Sequence, residues 1–170
     1  SDVLINDAGV EKNVLTDTSS SDTATEQIKQ AFFDGPPKVL TTSLRGTLTE
    51  GVDFDGDKLY GAVVCGVPIT NTSSNLANAI ETAYDDRFNG SGFEYAFSIP
   101  AIRKTRQALG RVIRGDEDVG VRVLVDERYV RSNRTGVKQY FPDYEADEFV
   151  SIGPDELPYE LQSFWQNQEV

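Results

Sequence analysis

Four short apolar runs alternate along the chain with stretches whose apolar residues recur at helical spacing. Val14–Thr16, Lys38–Ser43, Leu59–Val67 and Val119–Asp126 read as strands. The second and third read as buried, and the third is continuous in its apolar character, the pattern of parallel strands covered on both faces. Between them lie helical stretches. Residues 2–8 read as the end of a helix stopped near Gly9, and Ser19–Asp22 as a polar turn. Thr23 and Glu26 form a capping-box pattern for a helix running to about Phe33, with Ile28, Ala31 and Phe32 as its apolar face and Gly35-Pro36-Pro37 as its stop. Asn71–Phe88 follows, with Leu76, Ile80 and Tyr84 four residues apart, then a break at Asn89–Gly92. A long helix is expected from near Pro100 to before Gly115. Beyond Arg131 the pattern weakens, punctuated by Pro142, Pro154 and Pro158, before a closing helix at Tyr159–Trp165. Strand and helix alternating with short connections predict an α/β fold, with a mainly parallel sheet flanked by helices on both faces. Sites in such sheets form in loops after the strands, which directs attention to Leu44–Asp57 and the region around Asp126.

A length of 170 residues suits one domain. No apolar run approaches the roughly 20 residues of a membrane span, so a cytoplasmic, nucleoid-associated protein is expected. The sequence holds no Met at all, so it is expected to be a piece of a longer chain. The absence of His excludes hydrolase chemistry that uses a His base. The one cysteine, Cys65, is read as a small buried hydrophobe within an apolar strand, and no Cys/His cluster spaced for a metal is present.

The formal net charge of −12 argues against a polyanion partner until its distribution is considered. From Arg103 to Arg134 nine basic residues stand against five acidic ones. A basic strip on an acidic body predicts a local anion site. The acid excess, mostly Asp with few Lys, fits the surface of a protein from a salt-loving organism. In such salt, long-range attraction to DNA is screened, and contact rests on close hydrogen bonds and shape.

Residues 100–114, PAIRKTRQALGRVIR, sharpen this expectation. At helical spacing Ala101, Ile102, Thr105, Ala108, Leu109, Val112 and Ile113 share one side, and Arg103, Gln107, Arg111 and Arg114 the other, flanked by Lys104. The plain alternative is a solvated helix face. But like charges at this spacing repel, and an anion or a partner's carboxylate would offset that cost. Gly110 beside Arg111 would admit the close approach of another surface.

The run Gln107-Ala108-Leu109-Gly110-Arg111-Val112-Ile113-Arg114 resembles motif VI of superfamily 2 helicases, and Gly115–Gly120 and Asp126-Glu127-Arg128 resemble its continuation. Upstream, Arg45-Gly46-Thr47-Leu48-Thr49-Glu50-Gly51-Val52-Asp53-Phe54 resembles motif V of the XPD-type branch, and Gly66-Val67-Pro68-Ile69 resembles that branch's Gly-Val-Pro-Tyr segment, with Ile69 departing from the aromatic. The resemblance covers residues 36–131 within a single domain of 1–170; 132–170 is an extension joined by position only, its Tyr140, Tyr144, Phe164 and Trp165 read as packing residues rather than a base-stacking platform.

The resemblance implies the second RecA-like motor domain of an XPD-type helicase that moves 5′ to 3′ on single-stranded DNA in repair. It implies Arg111 and Arg114, with Gln107, as catalytic arginine fingers and their support. It assigns Glu50, Gly51, Asp53 and Gly110 to ATP, and Ser43, Arg45, Thr47, Thr49, Arg103 and Lys104 to DNA. The phosphate-binding G-x-x-x-x-G-K-[ST] loop and the Asp-Glu-Ala-His box are absent from the sequence. ATP and Mg²⁺ would therefore be held mainly by a first motor domain of the same protein, any iron–sulfur cluster would lie outside this chain, and the chain alone would be inactive. A DinG-type helicase domain, or a non-enzymatic RecA-like module binding DNA or protein, stays open on the same residues.

Overall fold

The computed structural model describes residues 14–17, 21–44, 46, 48, 59–131, 133 and 135–168. The elements are β1 (Val14–Thr16), α1 (Asp22–Phe33), β2 (Val39–Thr41), β3 (Gly61–Cys65), α2 (Asn75–Arg87), a π-helical segment Glu94–Ser98 running into α3 (Ile99–Leu109), β4 (Val121–Val125), α4 (Asp143–Ala146) and α5 (Leu157–Asn167). Single 3-10 turns stand at Glu127–Tyr129 and Lys138–Tyr140. The parallel α/β expectation holds. Among the described residues the strands form two parallel pairs, β1 with β2 (Val14 beside Val39) and β3 with β4 (Gly61 beside Val121). The expected helix over residues 2–8 lies outside the described residues.

Local chemistry corrects several predicted boundaries. The cap of α1 is Ser21, whose Oγ accepts from Ala24 N, and not a Thr23/Glu26 box. Ile28 packs inward as expected, beside Phe33, Leu40, Leu48 and Leu59, whereas Ala31 is exposed. Helix α2 begins at Asn75 instead of Asn71, because the Asn71 side chain accepts from Ser73 N (2.9 Å) in a turn and Ser74 caps the helix. It ends where Asn89 and Gly90 take positive φ. The helical path into α3 starts earlier than Pro100. A wide π turn precedes that proline, whose missing N–H leaves the Ala96 carbonyl without its α-helical donor.

The main core joins Ala101 and Ile102 of α3 to Val67, Tyr129, Val137 and Phe141, with Leu124 and Phe149 packed against them. Val64 and Leu124, paired across β3 and β4, face α3. The other face of the pair carries Val63, Cys65 and Val125, all exposed. The reading of 59–67 as a strand buried on both sides, with Cys65 inside, is thus corrected. The helix closing the chain reaches this face through Trp165, which lies edge-on to Tyr60 beside Gly61 and Val121. The extension beyond residue 131 supplies Val137 and Phe141 to the core.

Candidate functional site

The apolar side predicted for residues 100–114 is the side that α3 buries: Ala101, Ile102, Thr105 and Leu109. The helix does not continue to Arg114. It ends at Leu109, with Gly110 as C-cap and its N–H on Arg106 O at 2.8 Å. Arg111 N and Val112 N then bond back to Ala108 O and Leu109 O, three residues behind, so the chain tightens into a turn. Arg103 and Gln107 stay exposed on the helix, with Lys104 half-buried, while Arg111 and Arg114 are carried by the turn. The predicted single stripe is therefore corrected to a helix face followed by a turn.

That turn is fixed from three directions. Gly110 closes the helix, and a Cβ there would stand 3.1 Å from Arg106 O. Val112 is buried and anchors the turn from inside. Asp118 reaches back, its Oδ2 accepting from Arg114 N (2.7 Å) and Gly115 N (2.8 Å). Those two N–H groups hold the Asp118 carboxyl below its ordinary range. Gly120 completes the seat: a Cβ there would overlap Val112 Cγ1 and stand 3.1 Å from Tyr60 O. Asp118 and Gly120 were legible in sequence only as part of a motif's continuation; their work on the arginine turn emerges from the structure.

The basic strip is partly neutralised from within. Arg106 forms a bidentate pair with Glu145, its Nε and Nη2 donating at 2.6–3.0 Å. Arg122 pairs with Glu148, Arg128 with Asp126 and Arg131 with Glu127, at 2.5–2.6 Å. The anion site expected of nine basic residues thus narrows, because at least four of them are bonded to carboxylates of this chain.

At the opposite ends of the strands, the segments after β3 and β4 are tied together. Tyr129, 1% exposed, donates from its hydroxyl to Gly66 O at 3.0 Å. That leaves the Thr105 hydroxyl to donate to the phenol oxygen at 3.3 Å. Burial pushes the Tyr129 phenol above its ordinary range. Asp126 caps the turn before it and grips the Arg128 guanidinium. A cleft of about 690 Å³, lined in part by Ile69, Arg128, Thr135 and Tyr140, opens here. The arginine turn leads instead into the amino end of β4. The carboxyl-end rule therefore does not locate it.

Ahead of motif V, Ser43 is exposed and its carbonyl accepts from Gly46 N at 2.8 Å; within the motif, Leu48 is buried. Arg45, Thr47, Thr49, Glu50, Gly51 and Asp53 lie outside the described residues.

The family model described as "helicase C-terminal domain" matches residues 4–144. The chain belongs to the helicase C-terminal domain family. Within it, the chain is 29% identical over 160 residues to the general transcription and DNA repair factor IIH helicase subunit XPD of Dictyostelium discoideum, covering 88% of this chain and 20% of that one. It is 32% identical over 133 residues to the same subunit of Schizosaccharomyces pombe, covering 78% and 17%. A solved structure described as an XPD helicase shares the fold, with a TM-score of 0.57 at 19% identity, covering 89% of this chain and 26% of the other. The chain thus spans about a fifth of the length of these curated relatives. A shorter likeness, 32% over 96 residues, covering 56% and 10%, links it to the 3′-5′ exonuclease DinG of Staphylococcus saprophyticus. No helix of the described residues is long and apolar enough to cross a membrane.

Proposed function

We propose that this chain is the second motor domain of an ATP-dependent 5′–3′ DNA helicase of the XPD type acting in repair. On this reading Arg111 and Arg114, with Gln107 and Gly110 beside them, complete an ATP site held mainly by a first motor domain of the same protein. The observation that carries it is the turn 110–120, which sets two arginines on backbone fixed by Val112, Asp118 and Gly120. Donors positioned in advance need little reorganisation when charge develops on a phosphate, which is the demand of phosphoryl transfer. Both guanidinium groups would neutralise charge on the γ-phosphate as it leaves.

Among the described residues no acidic or Cys/His cluster could hold a metal ion. Mg²⁺, which neutralises phosphate charge when bound, and any iron–sulfur cluster are on this reading held by the rest of the protein. Glu50, Gly51 and Asp53 are proposed to meet the nucleotide. Ser43, Arg45, Thr47, Thr49, Arg103 and Lys104 are proposed to follow the sugar–phosphate backbone of single-stranded DNA. The XPD-type matches extend over more of the chain than the DinG match, which favours that branch; the arginine chemistry is the same in both.

The test is steady-state ATPase of the intact helicase carrying this domain, at saturating single-stranded DNA. Arg111→Ala is expected to lower turnover by about 10³-fold or more, with DNA affinity within a few-fold of the parent. Unchanged turnover would overturn the assignment. The isolated chain is expected to hydrolyse no ATP.

A further inference from the structure

The cleft of about 690 Å³ at the carboxyl ends of β3 and β4 is built from parts that the arginine turn does not use. Parallel sheets take ligands at these ends, and small-molecule sites span roughly 300–1,000 Å³. One wall is the segment after β4, with Arg128 and Tyr140. Another is α2 and the π-helical segment, with Glu81, Phe93, Glu94 and Ser98. Both walls are held. Arg128 O accepts from Val137 N at 2.8 Å. Asp85 Oδ1 accepts from Gly92 N at 2.6 Å, and Gly92 permits this closeness, since a Cβ there would overlap Glu81 O. The π turn, closed by Ile99 N on Glu94 O, is a rare geometry that recurs at functional sites. It carries an unmatched polar group. Ser98 borders the cleft and is 4% exposed, and its hydroxyl, whose remaining access is to the cleft, has no hydrogen-bond partner among the described residues. A hydroxyl so enclosed normally has one.

The groups on the two walls select the occupant. Asp126 takes Nε and one N–H of Nη2 of Arg128, so Nη1 and the second Nη2 N–H remain to donate to a ligand. Glu81 and Glu94, both half-buried, offer acceptors. A phosphate has no donor for these two carboxylates and is repelled by them. A Lys or Arg side chain has no acceptor for Arg128. A neutral planar molecule with acceptors on one edge and donors on another satisfies both walls, and Phe93 and Tyr140 supply rings for it to pack on. Among nucleobases guanine has this layout: O6 and N7 accept from an arginine fork, while N1–H and the 2-amino group donate to a carboxylate. We propose that the cleft binds a guanine base, with Arg128 on O6 and N7, Glu81 or Glu94 on the donor edge, and the Ser98 hydroxyl bonded to the ring. A single strand and a free nucleoside present the same base; only the first source rests on the function proposed above.

The experiment has two arms on the full chain. In the first, saturation-transfer-difference NMR is expected to show guanosine bound, with adenosine and inosine, which lacks the 2-amino group, weaker by about tenfold or more. In the second, fluorescence anisotropy compares a labelled thymine-only single strand with the same strand carrying one central guanine. A tenfold or so preference for the guanine strand places the base in a strand. A preference shown by guanosine alone makes the free nucleoside the ligand; both results uphold the guanine site. If neither strand binds while guanosine does, the strand reading fails and the cleft assignment stands. The double variant Glu81→Gln, Glu94→Gln is expected to bind guanosine no better than inosine. Ser98→Ala, which removes no hydrogen bond among the described residues, is expected to weaken guanosine by a few-fold with the fold intact by circular dichroism. Equal binding of the three nucleosides overturns the proposal, as does guanosine binding unchanged in both variants. Binding of N-acetylarginine amide in place of guanosine also overturns it, because the cleft would then take a cationic side chain of a protein.

Discussion

Gly120 and Val112 touch so closely that no side chain fits at position 120: a Cβ would overlap Val112 Cγ1. The buried Val112 side chain is in turn the inner anchor of the turn that presents Arg111 and Arg114. Gly120→Ala is expected to destabilise the domain by about 1–3 kcal/mol through overpacking. At this size that is a fall in Tm of roughly 2–12 °C. Gly115→Ala is the control. Its Cβ would meet nothing nearer than Asp118 Oδ2 at 4.0 Å, so its cost is expected to stay within about 0.5 kcal/mol. Equal losses in thermal melts of the two variants would show that the close packing at Gly120 is unimportant.

The Arg106–Glu145 pair ties α3 to the extension and makes stability depend on pH. The guanidinium hydrogen bonds lower the Glu145 pKa in the folded state. As pH falls the unfolded chain therefore takes up this proton first, so the contribution is full above the ordinary glutamate range and is lost as pH falls through the lower folded value. Glu145→Gln is expected to cost about 1 kcal/mol at neutral pH, given the partial exposure of both partners. It should also flatten this part of the acid dependence in urea titrations. A variant with the parent's acid slope would deny the pair its role.

Tyr129→Phe removes the hydroxyl that donates to Gly66 O and accepts from Thr105. The buried Thr105 hydroxyl and the part-buried Gly66 carbonyl lose their partner, and a loss of about 1–3 kcal/mol is expected from chemical denaturation. The parent should also lose stability above the ordinary tyrosine range, because the raised phenol pKa keeps the folded state protonated while the unfolded chain ionises. The phenylalanine variant should lack that alkaline loss. A stability within 0.3 kcal/mol or so of the parent would mean that water replaces the hydroxyl at little cost.

Cys65 is exposed on the open face of β3. It is expected to react with a chromogenic disulfide reagent in the native protein, within about tenfold of the rate of an unstructured thiol. Reaction only after denaturant is added would mean that the face is covered in solution.

The sequence disclosed the strands well, because short apolar runs bounded by Gly, Pro and polar turns have few alternatives. Val14–Thr16 was placed residue for residue, and the other three strands were found with overextended ends. Outward and inward faces were harder to read. An apolar run such as Gly61–Cys65 looks the same whether one face is covered or both, and Leu76, Ile80 and Tyr84 look like a core stripe until Asp85 is seen holding the opposite side inward. At the candidate site, residue identities were legible and their scaffold was not. Helical spacing extrapolated smoothly through Gly110, whereas the tightening at Arg111 depends on Val112 meeting Gly120 across the fold. The partners of Arg106, Arg122 and Arg128 were equally hidden. Glu145 and Glu148 belong to a segment with little periodicity of its own, and Asp126 faces Arg128 only through a local turn.

Because α3 stops at Leu109, the two arginines ride on a short span of irregular backbone between helix and strand. Lengthening or trimming that span would shift how far the guanidinium groups project, while the packing of Ile102, Leu124 and Tyr129 went on unaltered. Reach and robustness are written in separate stretches of this sequence, and selection can adjust one without disturbing the other.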